Sequence, residues 1–402
     1  MLTLLGINKI LAIYVGPSGY AAIGQFQNAV QVITAIAGGA INTGVTRYTA
    51  QYQEDENKQH IVWRTAGTVF VVGSVLVGMA ISIFNKQLSL WFFHTKDFED
   101  VFLWFAATLL MFSLNSYFLS ILNGNGQLER YALSNIAGSL ISGVVTSVLA
   151  INGGLHGALI GLAVYQSLAF FVTLGLCYRL RWFKWKNLFG RINNGAANDL
   201  TQYALMSLTT AACGPVTYIL IRDHIIEKFG ISSAGYWEAG MRMSSAYLLF
   251  FTTTLSIYFL PKIASVKDTS LIKSLLFKDY KIIALFSIIA SIPIYYFREN
   301  LITLLFASIF LPAAELMLYI IIADNIKIAA WAISYTLIAR GATKIFIVGE
   351  VAFSISYYMI ALILASHFGL IGVVVAGVLN SALYLTYVYF GMNYFLRVSS
   401  VY

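Results

Sequence analysis

Seven charged side chains lie inside long apolar stretches of this sequence, and their types suit anion binding and proton exchange. The cations are Arg47, Arg222, Arg242 and Lys327, and the carboxylates are Glu238, Asp324 and Glu350. A charge near the bilayer centre costs roughly 2.5–3.5 kcal/mol on insertion scales, so each needs a partner or a polar cavity. The planar guanidinium donates two parallel hydrogen bonds to a phosphate, so the arginines predict a phosphate-binding site.

Short spacings give some of these charges a simpler interpretation. Glu238 precedes Arg242 by four residues, and Asp324 precedes Lys327 by three. Such spacing places both members of a pair on one helix face, where pairing lowers the cost of insertion. Glu350 has no cation within four residues. Burial favours the neutral form of such a carboxyl, which makes Glu350 the best candidate for a titrating site, and the three carboxylates are predicted to serve coupling or gating.

Two arginines also have an alternative at the membrane surface. Arg47 has no acid within four residues, so it either enters a cavity or extends to the cytoplasmic headgroups. Arg222 and its neighbour Asp223 point to different sides of a helix and lie near the outer end of their segment, where an interfacial position is the alternative. With Lys9 added, five intramembrane cations stand against four acids. A single cavity holding them all would prefer an anion.

The elements that position these residues are membrane-spanning helices. Of the 402 residues, 59% are hydrophobic and only 10% are charged, whereas a soluble domain carries about 25% charged residues. Most apolar segments reach the roughly 20 residues that cross a bilayer. The first is shorter, at about 22 Å, which predicts a short first helix or a truncated start. The twelve segments fall near 1–15, 20–50, 62–84, 98–122, 131–151, 155–178, 203–226, 235–261, 280–297, 315–339, 345–366 and 370–395.

Lysine and arginine in the loops predict the orientation. Sixteen lie on the side that carries both termini, and four lie on the other side: Lys86, Lys96, Lys228 and Arg298. This bias places both termini in the cytoplasm. The stretch "YRLRWFKWKNLFGR" at 178–191 mixes cations with tryptophans, which is typical of an interface anchor. No nucleic-acid partner is expected.

An internal repeat divides the predicted helices into two sets of six. Similar segments recur at an offset of 215 or 216 residues: "SGYAAIGQF" at 18–26 and "AGYWEAGMR" at 234–242, "GQLERYALSNIAGSLIS" at 126–142 and "GATKIFIVGEVAFSISY" at 341–357, "GLHG" at 154–157 and "GLIG" at 369–372. Because the unit has an even number of helices, both copies enter from the same side, as parallel repeats do. We therefore expect an N-terminal lobe over 1–178, a basic cytoplasmic linker over 179–202 and a C-terminal lobe over 203–402.

Five segments carry a resemblance to a known family, and the most specific is "GGAINTGVTRYTAQY" at 38–52. The supporting segments are "YILIRD" at 218–223, "SIYFLPKIASV" at 256–266, "ADNIKI" at 323–328 and "IVGEV" at 347–351. These segments resemble the Wzx flippases for O-antigen and enterobacterial common antigen, within the multidrug/oligosaccharidyl-lipid/polysaccharide exporter superfamily. The resemblance covers essentially the whole chain.

The resemblance implies translocation of an undecaprenyl-diphosphate-linked oligosaccharide across the bacterial inner membrane by alternating access. It places a basic residue at Arg47 and like residues at Arg222, Asp324, Lys327 and Glu350, whereas Glu238 and Arg242 depart from the family pattern. A polysaccharide polymerase and a chain-length regulator are candidate partners.

Other functions stay open at this point. A cation-coupled multidrug antiporter of the same superfamily is the alternative, and a membrane glycosyltransferase or polymerase is the third. The third predicts a long periplasmic loop with Arg or His motifs, which the sequence lacks. There is also no phosphate-binding Walker loop and no metal-ligand spacing among the five histidines. We therefore expect a transporter with no cofactor and not an enzyme.

Overall fold

The computed structural model describes residues 2–255, 269–339 and 342–399, and these ranges contain helices and turns but no strand. The family-like segment at 256–266 lies outside the described residues. The helices are α1 (Leu2–Ala37), α2 (Asn42–Gln51), α3 (Glu56–Ile83), α4 (Asn85–Phe93), α5 (Glu99–Gly124), α6 (Leu128–Tyr178), α7 (Trp185–Leu188), α8 (Asn194–Phe229), α9 (Ile231–Thr254), α10 (Thr269–Tyr296), α11 (Arg298–Leu305), a 3₁₀-helix (Ser308–Glu315), α12 (Met317–Ala339) and α13 (Thr343–Ser399).

Three of the long helices contain a glycine that reverses the chain. The 51 residues of α6 would extend about 76 Å if straight, more than twice the hydrocarbon thickness. Gly154 interrupts α6 with φ +56°, a conformation that glycine adopts without steric cost. Past the turn, a Cβ atom on Gly157 would overlap the carbonyl oxygen of Leu149. The two parts of α6 therefore pack against each other as an antiparallel hairpin.

The same hairpin recurs in the second half of the chain. Gly369 interrupts α13 with φ +62°, and a Cβ atom on Gly372 would overlap the carbonyl oxygen of Leu364. All three positions lie 215 residues after their counterparts in α6, because 369 − 154, 372 − 157 and 364 − 149 each equal 215. The predicted repeat thus reappears as a repeated backbone feature.

A second glycine pair marks the start of each repeat. Gly16 interrupts α1 with φ +68°, and Gly230 separates α8 from α9 with φ +84°. In α1, the Tyr20 hydroxyl donates to Asn8 Oδ1 at 3.0 Å, although twelve residues separate them. A straight helix would hold these residues about 18 Å apart, so the chain folds back at Gly16.

The twelve predicted segments all overlap helices in the described residues, whereas 256–261 of the eighth segment lie outside them, and the all-helical membrane fold is confirmed. Six helices of the described ranges are each long and apolar enough to cross a membrane, or eight when two bent pairs are counted as spans. The reversals in α6 and α13 split each of these helices into two crossings.

The chain forms two compact units, 1–216 and 217–402. In the first unit, part of the basic linker packs against α3. The Arg64 Nε donates to the Lys186 carbonyl at 2.8 Å, and Gly67 lies so close to the Leu188 carbonyl that a Cβ atom would overlap it. The Tyr117 hydroxyl donates to two carbonyls, Trp63 O at 2.8 Å and Leu188 O at 3.2 Å. The lobe boundaries at 178 and 203 remain predictions.

Candidate functional site

Three of the predicted site residues form one buried ion cluster on the hairpin of α8 and α9. One carboxylate oxygen of Glu238 contacts Arg222 Nη2 at 2.5 Å, and the other contacts Arg242 Nε at 2.9 Å. The side chains are 2%, 9% and 12% exposed for Arg222, Glu238 and Arg242. The local pair of Glu238 and Arg242 is therefore present, but Arg222 shares the same carboxylate. The carboxylate of Glu238 thus bridges two guanidinium groups.

Aromatic rings cover this cluster from one side. The guanidinium carbon of Arg222 lies 5.4 Å from the ring centre of the fully buried Trp237. The ring of Tyr218 meets Trp237 edge-on, with 5.8 Å between ring centroids. A cation over a tryptophan face is attracted by the negative face of the ring system. Arg222 is thus held inside the unit, and its depth in the membrane stays a prediction.

A second carboxylate joins α9 to α12. Asp324 Oδ1 accepts a hydrogen bond from Ser244 Oγ at 2.9 Å, and Asp324 is 2% exposed. Lys327 is half-buried. Among the described residues, Lys327 has no carboxylate oxygen within 4.0 Å of its ammonium. The local pair suggested by the spacing of Asp324 and Lys327 is therefore not formed, and Asp324 is bound across helices instead.

Glu350 lies in the first part of α13 and is bound by a hydroxyl from the second part. The Tyr384 hydroxyl donates to Glu350 Oε1 at 3.2 Å and lies 3.2 Å from Ser334 Oγ of α12. A Cβ atom on Gly349 would come within 2.8 Å of the Tyr387 ring, so the absence of a side chain there lets the two parts approach. The sequence missed Tyr384 because it lies 34 residues from Glu350.

Arg47 belongs to the first unit and is exposed on α2. Thr46 Oγ1, beside it, donates to the Ser120 carbonyl of α5 at 3.2 Å, and Ser120 Oγ donates to Asn42 Oδ1 at 3.2 Å. These bonds hold α2 against α5. At the next turn, Asp55 accepts from the backbone N–H of Lys58 at 3.1 Å, and this bond, with the nearby ammonium, lowers the pKa of the Asp55 carboxyl.

The contact between Arg222 and Glu238 could have been predicted from the turn between their two helices, although not from residue spacing along one helix. Gly230 lies midway between them, eight residues from each. In an antiparallel hairpin, residues equally distant from the turn come opposite each other. The pairing follows once Gly230 is recognised as the turn. Trp237 and Ser244 had no comparable signal, because an aromatic and a hydroxyl are ordinary residues on a membrane helix.

The sequence was compared with known families and proteins. Residues 12–315 match the family model described as "Polysaccharide biosynthesis protein". Proteins named lipid III flippase from Escherichia coli (strain K12) and Shigella flexneri are each 27% identical over 346 residues, which covers 86% of this chain and 83% of each relative.

Solved structures with the same fold come from transporters. An inward-facing multidrug resistance MATE family transporter of the MOP superfamily has a TM-score of 0.79 at 15% identity, covering 99% of this chain and 95% of the other. The lipid II flippase MurJ, in an inward closed conformation, has a TM-score of 0.78 at 15% identity, covering 98% of this chain and 85% of the other. At these identities the likeness concerns the fold alone.

Proposed function

The chain belongs to the polysaccharide biosynthesis protein family, and on this premise we propose that it is a flippase for a lipid-linked oligosaccharide. It moves the substrate from the cytoplasmic to the periplasmic leaflet of a bacterial inner membrane and catalyses no covalent change. The support is the family match over 12–315 and the 27% identity to the lipid III flippase over most of both chains.

The transported headgroup sets the physical problem. Sugar hydroxyls and phosphate oxygens lose their water partners in hydrocarbon, and each unmade hydrogen bond costs several kcal/mol. A flippase must replace these partners with side chains while the polyprenyl tail stays in lipid. The polar and charged side chains at membrane depth in this protein are groups of the required kind. Alternating access would expose them to one leaflet at a time.

The observation that carries the binding step is the carboxylate shared by two buried arginines. We propose that the diphosphate displaces Glu238 from Arg222 and Arg242, so that one anion replaces another in the same place. A guanidinium pair fits phosphate oxygens bidentately. Release of the substrate would restore the bonds to Glu238, so the cluster acts as a switch between two partners.

The remaining predicted residues have supporting roles in this proposal. Lys327, without a carboxylate within 4.0 Å among the described residues, adds a cation for the diphosphate, and exposed Arg47 attracts it in the first unit. Asp324 and Glu350 are each held by a hydroxyl, from Ser244 and Tyr384. Such neutral donors leave a carboxyl able to exchange partners during gating, or a proton during coupling.

Membrane potential alone supplies a large driving force. Moving one charge through 100 mV is worth about 2.3 kcal/mol. A diphosphate of roughly two negative charges that leaves an inside-negative cell therefore gains about 4–5 kcal/mol. A coupling ion is not required on this scale. We place both termini in the cytoplasm, and a polysaccharide polymerase with its chain-length regulator would receive the product.

A cation-coupled multidrug antiporter is the second candidate, because the fold also matches a multidrug transporter with a TM-score of 0.79. In that function Asp324 and Glu350 would exchange the coupling cation, and the arginine cluster would be structural. The two candidates differ in cargo: a glycan lipid in one, an organic cation in the other.

A complementation experiment separates the two candidates. A strain deleted for this chain is complemented with the wild type, Arg222→Ala or Arg242→Ala, and the lipid-linked glycan of the inner leaflet and the surface polysaccharide are measured. We expect the wild type to restore export and each variant to lower it at least tenfold. Arg298→Ala is the matched control, since Arg298 is a partly exposed arginine outside the cluster whose contact with Glu299, at 3.8 Å, is a weak surface pair. Normal glycan export with lost drug tolerance would establish the antiporter instead.

A further inference from the structure

A polar cavity lies inside the first unit, and none of the charged residues considered above is among its lining residues. It has a volume of about 270 Å³ and opens between α5 and the two halves of α6, with one residue of α1 at its edge. Seven of its eleven lining residues carry an amide or a hydroxyl: Asn115, Ser134, Asn135, Ser139, Ser142, Tyr165 and Gln166. None of the eleven carries a charge.

Two side chains at the base of this cavity are buried without a hydrogen bond. Asn115 is 5% exposed and Ser134 is 3% exposed. Among the described residues, Asn115 Oδ1 and Ser134 Oγ have no hydrogen-bond partner. A buried polar group left unpaired costs about 1–3 kcal/mol, so the two oxygens favour a ligand that bonds to them.

Several donors of the lining are already used within the protein. Asn135 Nδ2 donates to the Tyr131 carbonyl at 2.8 Å, and Ser139 Oγ donates to the Asn135 carbonyl at 2.9 Å. Gln166 Nε2 donates to the Tyr165 hydroxyl at 3.1 Å. The oxygens of these side chains keep their accepting lone pairs. Ser134, Ser142 and the amide of Asn115 can also donate, so the cavity offers both donors and acceptors to a ligand with hydroxyl groups.

Part of the cavity lies well away from the ends of the helices that line it. Asn115 lies nine residues before the end of α5, and Ser142 lies fourteen residues after the start of α6. At 1.5 Å per residue these are about 14 Å and 21 Å along the helices, well inside a hydrocarbon core of about 30 Å. Polar faces at that depth point away from lipid.

A charged ligand does not suit this cavity. A phosphate would find no cation among the lining residues. A bare cation would enter without a carboxylate to balance it, at a large desolvation cost. The described residues contain no cluster of histidine, cysteine and carboxylate groups that could hold a metal. An uncharged ligand with many hydroxyls fits the lining, and a volume just under the roughly 300–1,000 Å³ of small-molecule sites holds about one sugar ring.

We propose that this cavity binds one uncharged sugar ring of the lipid-linked oligosaccharide, with Asn115 and Ser134 accepting its hydroxyls and the Tyr165 ring against its face. The proposal rests on the flippase function. It separates headgroup recognition into two sites, a sugar site in the first unit and a diphosphate site in the second. The sugar site would discriminate between glycans by the hydroxyls that it can pair.

Binding to the full-length protein in nanodiscs tests this division. The two probes are undecaprenyl diphosphate without sugar and the glycan lipid purified from the deletion strain. We expect Asn115→Ala and Asn135→Ala to weaken binding of the glycan lipid about tenfold, as expected for one lost hydrogen bond of roughly 1.4 kcal/mol. Binding of undecaprenyl diphosphate should stay unchanged. Arg222→Ala should weaken both probes.

Matched controls keep the result interpretable. Asn152→Ala removes an exposed amide of α6 that also donates to a carbonyl four residues earlier, Val148 O, but lies outside the cavity. It should leave both probes unaffected. Ser142→Leu fills the cavity if Asn115→Ala fails to fold.

Three results overturn the sugar site while the flippase function stands. In the first, the cavity variants weaken binding of both probes equally. In the second, they change the binding of neither probe. In the third, they alter the Na⁺ dependence of transport while their affinity for the glycan lipid is unchanged. Failure of the wild-type protein to bind either lipid would overturn the flippase function itself.

Discussion

The ion cluster of Arg222, Glu238 and Arg242 makes a quantitative prediction about stability. Removing one member of a buried ion pair costs about 3–5 kcal/mol, because the remaining charge is left uncompensated. Glu238→Gln removes the one carboxylate that contacts both arginines, so its cost should lie at the upper end. Arg222→Met leaves Glu238 with Arg242 at 2.9 Å, so its cost should lie at or below the lower end.

The double variant separates the interaction from other effects of the substitutions. Once Glu238 is Gln, the loss of the Arg222 charge also removes its repulsion with Arg242. The double variant should therefore be less destabilised than the sum of the single variants, by about 2 kcal/mol. The side chains are 2%, 9% and 12% exposed, so solvent screens this coupling very little.

The assay is reversible unfolding of the purified protein in mixed micelles, followed by far-ultraviolet circular dichroism. The control cycle uses Arg298→Met and Glu299→Gln, a pair 3.8 Å apart whose members are 29% and 64% exposed. Its coupling should not exceed about 0.5 kcal/mol. A coupling as small in the buried cycle as in this control would show that the three charges do not act as one cluster.

Two further predictions concern the helix hairpins and the linker. Gly157→Ala and Gly372→Ala should each lower the yield of folded protein and reduce the free energy of unfolding by at least about 1–3 kcal/mol, because the new methyl group overlaps a backbone carbonyl. The control is Gly153→Ala, which has open space at its Cβ and should fold normally in the same expression and unfolding assay. Tyr117→Phe should lower the free energy of unfolding by about 1–3 kcal/mol, since the Tyr117 hydroxyl bonds to two buried carbonyls. The control is Tyr178→Phe at a 70% exposed position, which should change the free energy of unfolding little. Equal effects of the two substitutions would contradict the contact between the linker and α3.

The fold was predictable from the sequence because hydrocarbon restricts the backbone to self-bonded helices of known length. Apolar length alone located all twelve segments. The repeat was also visible, since the "GLHG" and "GLIG" segments hold the glycines that reverse α6 and α13. Gly154 and Gly369 adopt a positive φ, which glycine does without steric cost, so these two turn positions can be recognised in a single sequence.

The candidate site was predictable only in part, for two physical reasons. Charges are expensive in a membrane, so Arg222, Glu238 and Arg242 were conspicuous in the sequence. Their mutual arrangement depends on which helices meet, and only the turn at Gly230 indicates that. The proposed sugar cavity could not be predicted from the sequence, because amides and hydroxyls cost less to bury than charges. They are also ordinary helix residues that bond back to their own backbone, as Asn135 and Ser139 do.

The energetics of the cluster bear on why these charges are present at all. Replacing a buried ion cluster by apolar side chains of similar volume is often neutral or stabilising, so stability alone gives no reason for three charges between α8 and α9. The Trp237 ring lies beside Arg222, and the carboxylate of Glu238 contacts both arginines, so the two arginines are held inside the unit with a partner. Under the proposed function, a phosphate-bearing headgroup would take over those bonds, and that exchange would account for charges that stability alone does not explain.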